Sequence, residues 1–208
     1  MPVPERRTAL PPDQLADAIR TAYQGARAVH LKGSLTDEGK PVALDLQLNR
    51  DSAAGTVTED ATTVPVLLVD GVYHFPFTDS VMKAGGVSPT SAAGRQLRGK
   101  WVPSTSSLAA GMVTDLQDTL SYDKFLGGIA DEVAAAPPTR PAQRTTVNGV
   151  PALAFVDTDG GSLDVDAAEP HRLLRLAGPP SDPGTVDFTG WDQPVPVTKP
   201  AASAIYTG

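Results

Sequence analysis

At 208 residues, 40% of them hydrophobic and 20% charged, the chain is long enough to bury one core of its own. Its 20 prolines and 19 glycines are too many for a helical bundle, and an aromatic fraction of 5% argues against a surface built to stack bases or sugars. The net charge of −7, with Lys and Arg scattered singly, argues against a nucleic-acid partner and against docking on anionic lipid headgroups. The absence of cysteine excludes disulfides, thiol nucleophiles and cysteine-ligated metals.

In chain order, residues 1–10 are polar and Pro-rich and look like the spacer that follows an export signal. Pro11-Pro12-Asp13 opens a helix with Asp13 available as N-cap, and Leu15, Ala18, Ile19, Ala22 and Tyr23 form its apolar stripe up to Gly25. Ala28 to Leu35 alternates as a strand, and Asp37 to Lys40 turns it back. Val42, Leu44, Leu46 and Leu48 then alternate with Ala43, Asp45, Gln47 and Asn49, the cleanest half-buried strand in the chain. Gly55 to Glu59 and Val64 to Val69 are further strands, and Asp70-Gly71 turns the second into Val72 to Phe75. These make a first meander over residues 28–78.

Thr78 to Gly99 is rich in Gly, Ser and Pro and reads as a long loop with a short helical turn at Ala92 to Leu97. Lys100 to Pro103 is a short strand. Ser107 to Leu120 has helical spacing at Leu108, Met112, Leu116 and Leu120, and a second helix from Ser121 carries Phe125, Leu126 and Ile129 to a stop at Ala134 to Pro138. A closing meander follows from Gln143. Asn148-Gly149 supplies the two positive-φ positions of a type I′ turn, and Gly160-Gly161 repeats the device between Val156 and Leu163. Leu173 to Leu176 and Thr185 to Phe188 are its later strands, with a Pro-rich strand and tail from Pro194 to Gly208. Strands, helices and strands in this order give an α+β plan, an antiparallel sheet with helices on one face.

Chemistry is sparse. His30, His74 and His171 have no close-spaced pair suited to zinc and read as strand-surface histidines. Asp157, Asp159, Asp164 and Asp166 alternate like calcium ligands, but they flank a hairpin and read as a solvent face. Ser104 to Ser107 reads as capping, and no G-x-S-x-G elbow or phosphate-cradling loop occurs. An enzyme is therefore disfavoured, and neither a cofactor nor a metal is expected. The apolar stripes suit a filled core or a pocket for an apolar ligand, and the sequence does not separate the two.

As a set, the opening helix, Val42 to Leu48, Asp70-Gly71-Val72-Tyr73, Gly99-Lys100-Trp101-Val102, Asn148 to Ala152, Gly184 to Phe188 and Pro194 to Val197 resemble the actinobacterial lipoproteins of the LppX/LprG group. That group is related in fold to periplasmic lipoprotein carriers. The resemblance implies a strongly curved antiparallel half-barrel over residues 11–199, with helices on its concave face and residues 200–208 as a tail. It implies an exported protein, held at the outer face of the cytoplasmic membrane by a lipid-modified cysteine that this chain lacks. It also implies that a lipid or acyl chain binds between sheet and helices. The cavity-lining candidates are Leu15 and Ile19; Val42, Leu44, Leu46 and Leu48; Val66 and Leu68; Leu116 and Leu120; and Phe125, Leu126 and Ile129. Two alternatives stand beside this reading. One is an envelope sensor or interaction module with a closed core and a protein partner. The other is a hydrolase, which needs a His, a Ser and an acid brought into one cleft.

Overall fold

The computed structural model describes residues 10–37, 39–60, 62–109 and 117–207. Eleven strands form one sheet: β1 Ala28–Asp37, β2 Lys40–Asn49, β3 Ala53–Glu59, β4 Thr62–Val69, β5 Val72–Pro76, β6 Trp101–Pro103, β7 Gln143–Val147, β8 Val150–Val156, β9 Ser162–Asp166, β10 Leu173–Ala177 and β11 Thr185–Thr189. Their spatial order is β6-β5-β4-β3-β2-β1-β11-β10-β9-β8-β7. The two meanders therefore meet at β1 and β11, with Leu31 opposite Phe188 and Gly33 opposite Val186, and the open edges are β6 and β7.

Every strand pairing is antiparallel, and the accumulated right-handed twist of so many strands curls the sheet. Gly33 and Gly55 serve that curling. A Cβ at Gly33 would lie 1.9 Å from the backbone oxygen of Thr185, and one at Gly55 would lie 2.0 Å from that of Asp45. Only glycine permits those neighbouring strands to approach so closely. The two tight hairpins follow from their turn residues, Asp70 and Gly71 at φ 53° and 72°, Asn148 and Gly149 at 50° and 84°. The β8–β9 connection differs from the two-residue device expected of it. Asp157 to Gly161 make a longer loop, closed by the Asp157 N–H donating to the Gly161 carbonyl at 2.8 Å.

Helices α1 (Leu15–Gly25) and α4 (Tyr122–Ala135) pack on each other and on the apolar face of the sheet. Asp13 does not cap α1. Pro12 starts a 3-10 turn one residue earlier, and Asp13 lies inside it. The C-terminal end of α1 is closed by Arg50, which donates to the carbonyls of Ala26 at 3.0 Å, Tyr23 at 3.2 Å and Gln24. The same guanidinium sits 5.4 Å over the Tyr122 ring, and the Tyr122 hydroxyl donates to the Tyr23 carbonyl at 2.8 Å. One residue of the β2–β3 turn thus fixes both helices to the sheet. Burial pushes the Tyr122 hydroxyl up to about 12, which keeps this donor protonated at any ordinary pH. At the start of α4, Ser121 accepts from the Lys124 N–H and caps it.

Two expectations for the remaining chain are corrected. Thr78 to Gly99 is not one loop with a single turn: it holds α2 (Asp79–Ala84), capped by the Thr78 hydroxyl, as well as α3 (Ala92–Leu97), capped by Ser91. Val81 and Met82 are buried, so α2 is part of the core. Pro194 to Val197 forms no strand, because proline cannot donate to a ladder. Instead residues 194–207 run as a strap across the first meander. Val195 exchanges two hydrogen bonds with the Asn49 side chain, Lys199 reaches Asp70 at 3.9 Å, and Tyr206 donates its backbone N–H to the Trp101 carbonyl at 2.9 Å. Half of the helix expected over Ser107 to Leu120, residues 110–116, lies outside the described residues; Ser107 to Ala109 and Gln117 to Leu120 are in turn conformation.

Candidate functional site

Alternation along the strands gives the sheet two unlike faces. On the concave face Leu31 of β1 stands opposite Leu46 of β2 and Phe188 of β11, and Leu44 stands opposite Val57. The candidate residues collect here. Leu15, Ile19, Leu44, Leu46, Leu48, Val66, Leu120, Leu126 and Ile129 belong to one buried cluster, and Val42, Leu68 and Phe125 pack against it half-buried. Leu116 lies outside the described residues. Leu46, Leu48 and Leu126 are each 0% exposed, so they touch neighbouring side chains and no space large enough for water. The interior under β2 is filled.

Open space lies further along the same face. A cleft of about 570 Å³ separates the start of α1 and the end of α4 from the ends of β8, β9, β10 and β1. Leu15, Ile129, Phe155 and Leu163 form its buried floor, and the half-buried Leu35, Val133 and Leu176 form its walls. Phe155, Leu163 and Leu176 make one cross-strand row. The local sequence explains the gap. The last turn of α4 carries alanines and then Pro137-Pro138, so no bulky side chain descends onto that row. Across from it, Ala177, Gly178 and Gly184 contribute almost no volume. The cleft's size falls within the ~300–1,000 Å³ usual for small-ligand sites.

Only Leu15 and Ile129 of the sequence-based candidates line this cleft; Leu35, Val133, Phe155, Leu163 and Leu176 were not among them. The signal that could have found them is the coincidence of apolar strand ends with a small-residue helix end. That coincidence becomes visible only once β8–β10 are known to face α4.

The convex face is polar, and one row across it alternates in charge: Asp45, Lys32, Asp187, Arg175 and Asp164, each opposite the next. Lys32 meets Asp45 at 2.9 Å, and Arg175 meets Asp187 at 2.6 Å. Lys32 first, then His30, holds the Asp45 carboxyl below its ordinary range, and Arg175 does the same for Asp187. Asp164 corrects an expectation. It is 7% exposed rather than part of a solvent face, and burial pushes its carboxyl up. Asp157 and Asp159 are exposed and Asp166 half-buried, and no cluster of three or more metal-ligating side chains occurs among the described residues. The histidines are corrected too. His74 is buried, with Nδ1 at 3.0 Å from the Val72 carbonyl, and His171 lies in the loop before β10 with Nδ1 at 2.9 Å from the Asp166 carbonyl.

Another pocket, of about 390 Å³ on the convex face, brings a hydroxyl, an imidazole and a carboxylate together. The Thr189 hydroxyl lies 3.3 Å from His30 Nδ1, and His30 Nε2 lies 2.7 Å from Asp45 Oδ1. Chemically the order matches nucleophile, base and orienting acid. Its origin is simpler: His30 is paired with Thr189 on one side, and Asp45 stands diagonally across on the other. β1 and β11 are interior strands whose N–H groups are committed to the ladder. The trio is a cross-strand polar contact.

The overall fold is similar to that of LprF from Mycobacterium bovis, with a TM-score of 0.53 and 14% identity over 92% of this chain and 97% of that one. Another similar structure is the lipoprotein LppX of Mycobacterium tuberculosis, with a TM-score of 0.49 and 14% identity over 88% of this chain and 98% of that one. No family model matches the sequence, and no curated protein does. The sequence resemblance therefore holds at the level of the fold: one open, curved antiparallel sheet with helices on one face.

Proposed function

We propose that the protein binds an apolar-chain ligand of lipid type in the cleft between the end of α4 and the strand ends, as an exported envelope protein and not as an enzyme. The cleft itself carries the reading. Four buried apolar side chains floor it and three half-buried ones wall it, with space left open at its mouth. Each methylene of a bound chain removed from water there contributes about 0.8 kcal/mol. The shared fold with LprF supports the assignment to an envelope lipoprotein type, and export and a lipid anchor enter the proposal through that resemblance. The candidate residues on β2 and β4 act beneath the site, as the packed bed that holds the cleft's floor in place.

The closed interior favours one competing reading, an envelope interaction module that carries no ligand, since Leu46 and Leu48 meet only protein. Native mass spectrometry of the purified full chain separates the two. The proposal expects bound species with the mass of a lipid, released by organic solvent. A chain of bare mass that takes up no added lipid leaves the module reading.

A further inference from the structure

The mouth of the cleft carries charge of one sign. Glu132 comes from the last turns of α4, Asp157 and Asp159 from the β8–β9 loop, and Asp182 from the β10–β11 connection; all four are exposed and line the opening. Among the described residues no Lys, Arg or His lines it with them. On much of the surface acids meet cations instead: Asp17 and Asp131 share Arg20, Asp45 meets Lys32, Asp118 meets Lys124 and Asp187 meets Arg175. Among the described residues none of the four rim acids is ion-paired. Asp157 and Asp159 are also directed. One oxygen of each accepts a backbone N–H, from Thr158 at 2.6 Å and from Gly161 at 3.0 Å, which leaves the other oxygen of each for a further partner.

Three separate elements thus set uncompensated negative charge around an apolar floor. A chain inserted tail-first would place its headgroup among those carboxylates. An anionic headgroup meets repulsion there, and an ammonium group meets attraction strengthened by the apolar wall beneath it. We infer that the cleft selects amphiphiles with a cationic headgroup, an alkyl chain ending in an amine, over anionic lipids. The inference rests on the lipid-binding reading above and adds the chemistry of the head.

The test uses three probes with the same twelve-carbon chain, each below its micelle concentration: dodecylammonium, 1-monolauroylglycerol and laurate. Affinities of the full chain are measured calorimetrically at low and at 0.5 M salt, as screening requires. The expected result is binding of dodecylammonium at least tenfold tighter than laurate, with monolauroylglycerol between them. That gap should shrink at high salt and in E132Q/D182N, two exposed positions whose side chains make no hydrogen bond among the described residues. Equal affinities, or tightest binding of laurate, overturn the headgroup inference and leave the lipid-binding reading standing. Binding of none of the three to folded protein overturns both. A cation preference that survives in L176Q, where the wall of the cleft turns polar without gaining charge, is adsorption to an acidic surface and overturns the inference as well.

Discussion

His74 is the residue whose environment departs furthest from what its neighbours in sequence suggest. It alternates with Tyr73 and Phe75 in β5, yet both it and Phe75 are buried, because the sheet is covered on both sides at this point. Burial pushes its imidazole below the ordinary value of 6.5, and the nearby Lys199 of the strap acts in the same direction. The unfolded chain takes up a proton as pH drops through 6.5, and the folded chain resists until its own lower value is reached. Stability from a neutral His74 is therefore complete above 6.5 and is lost as pH falls below it. Chemical denaturation at pH 7 and pH 5 should show the wild type losing stability over that interval and H74F losing less. H74F should also be about 1 kcal/mol less stable at pH 7, since the Val72 carbonyl loses its partner. Parallel losses in the two proteins would contradict this account of the residue.

At the scale of elements, α4 does two jobs along its length. Its first half, with Tyr122 and Leu126, is locked into the core through Arg50 and α1. Its last turns, Val133 to Ala136, hold the helix over the cleft without filling it. Substitutions in the two regions should separate folding from binding. L46D puts a carboxylate where side-chain exposure is 0%, and the cost of burying it, several kcal/mol, should leave no cooperative unfolding transition. L176E places the charge on a half-buried wall. It should keep a thermal midpoint within a few degrees of the wild type while reducing uptake of an apolar-chain ligand more than tenfold. Loss of fold in both, or unchanged uptake in L176E, would count against the division.

How far the sequence showed this depends on the element. The strands β1 to β11 were legible, most of them because alternation and the Asp-Gly and Asn-Gly turns are local signals. α2 was not, because six residues among Gly, Ser and Pro leave too short a window for a helical period, although Thr78 before Asp79 is its capping signal. The buried set on β2, α1 and α4 was legible as apolar stripes. The location of the open space was not. It depends on which strand ends lie under the alanine-rich turn of α4, a relation between residues 133–136 and 155–176 that no local pattern encodes.

For the whole molecule, the decisive feature is the seam between β1 and β11, which turns two meanders into one sheet and gives the helices a single concave face to cover. The residues at that seam are far apart in sequence, so its register comes from side-chain fit and from Gly33, not from any turn. The strap of residues 194–207 then ties the first meander down from the opposite side. The cleft at one end of the concave face stays open after this packing, and the central claim is that an apolar chain occupies it. Photo-crosslinking of the full chain with a diazirine-bearing fatty amine, followed by peptide mapping, tests that claim most directly. The account predicts adducts concentrated on the segments around Val133, Phe155 and Leu176 and suppressed in L176Q. Adducts confined to other surfaces, or spread evenly over the chain, would contradict it.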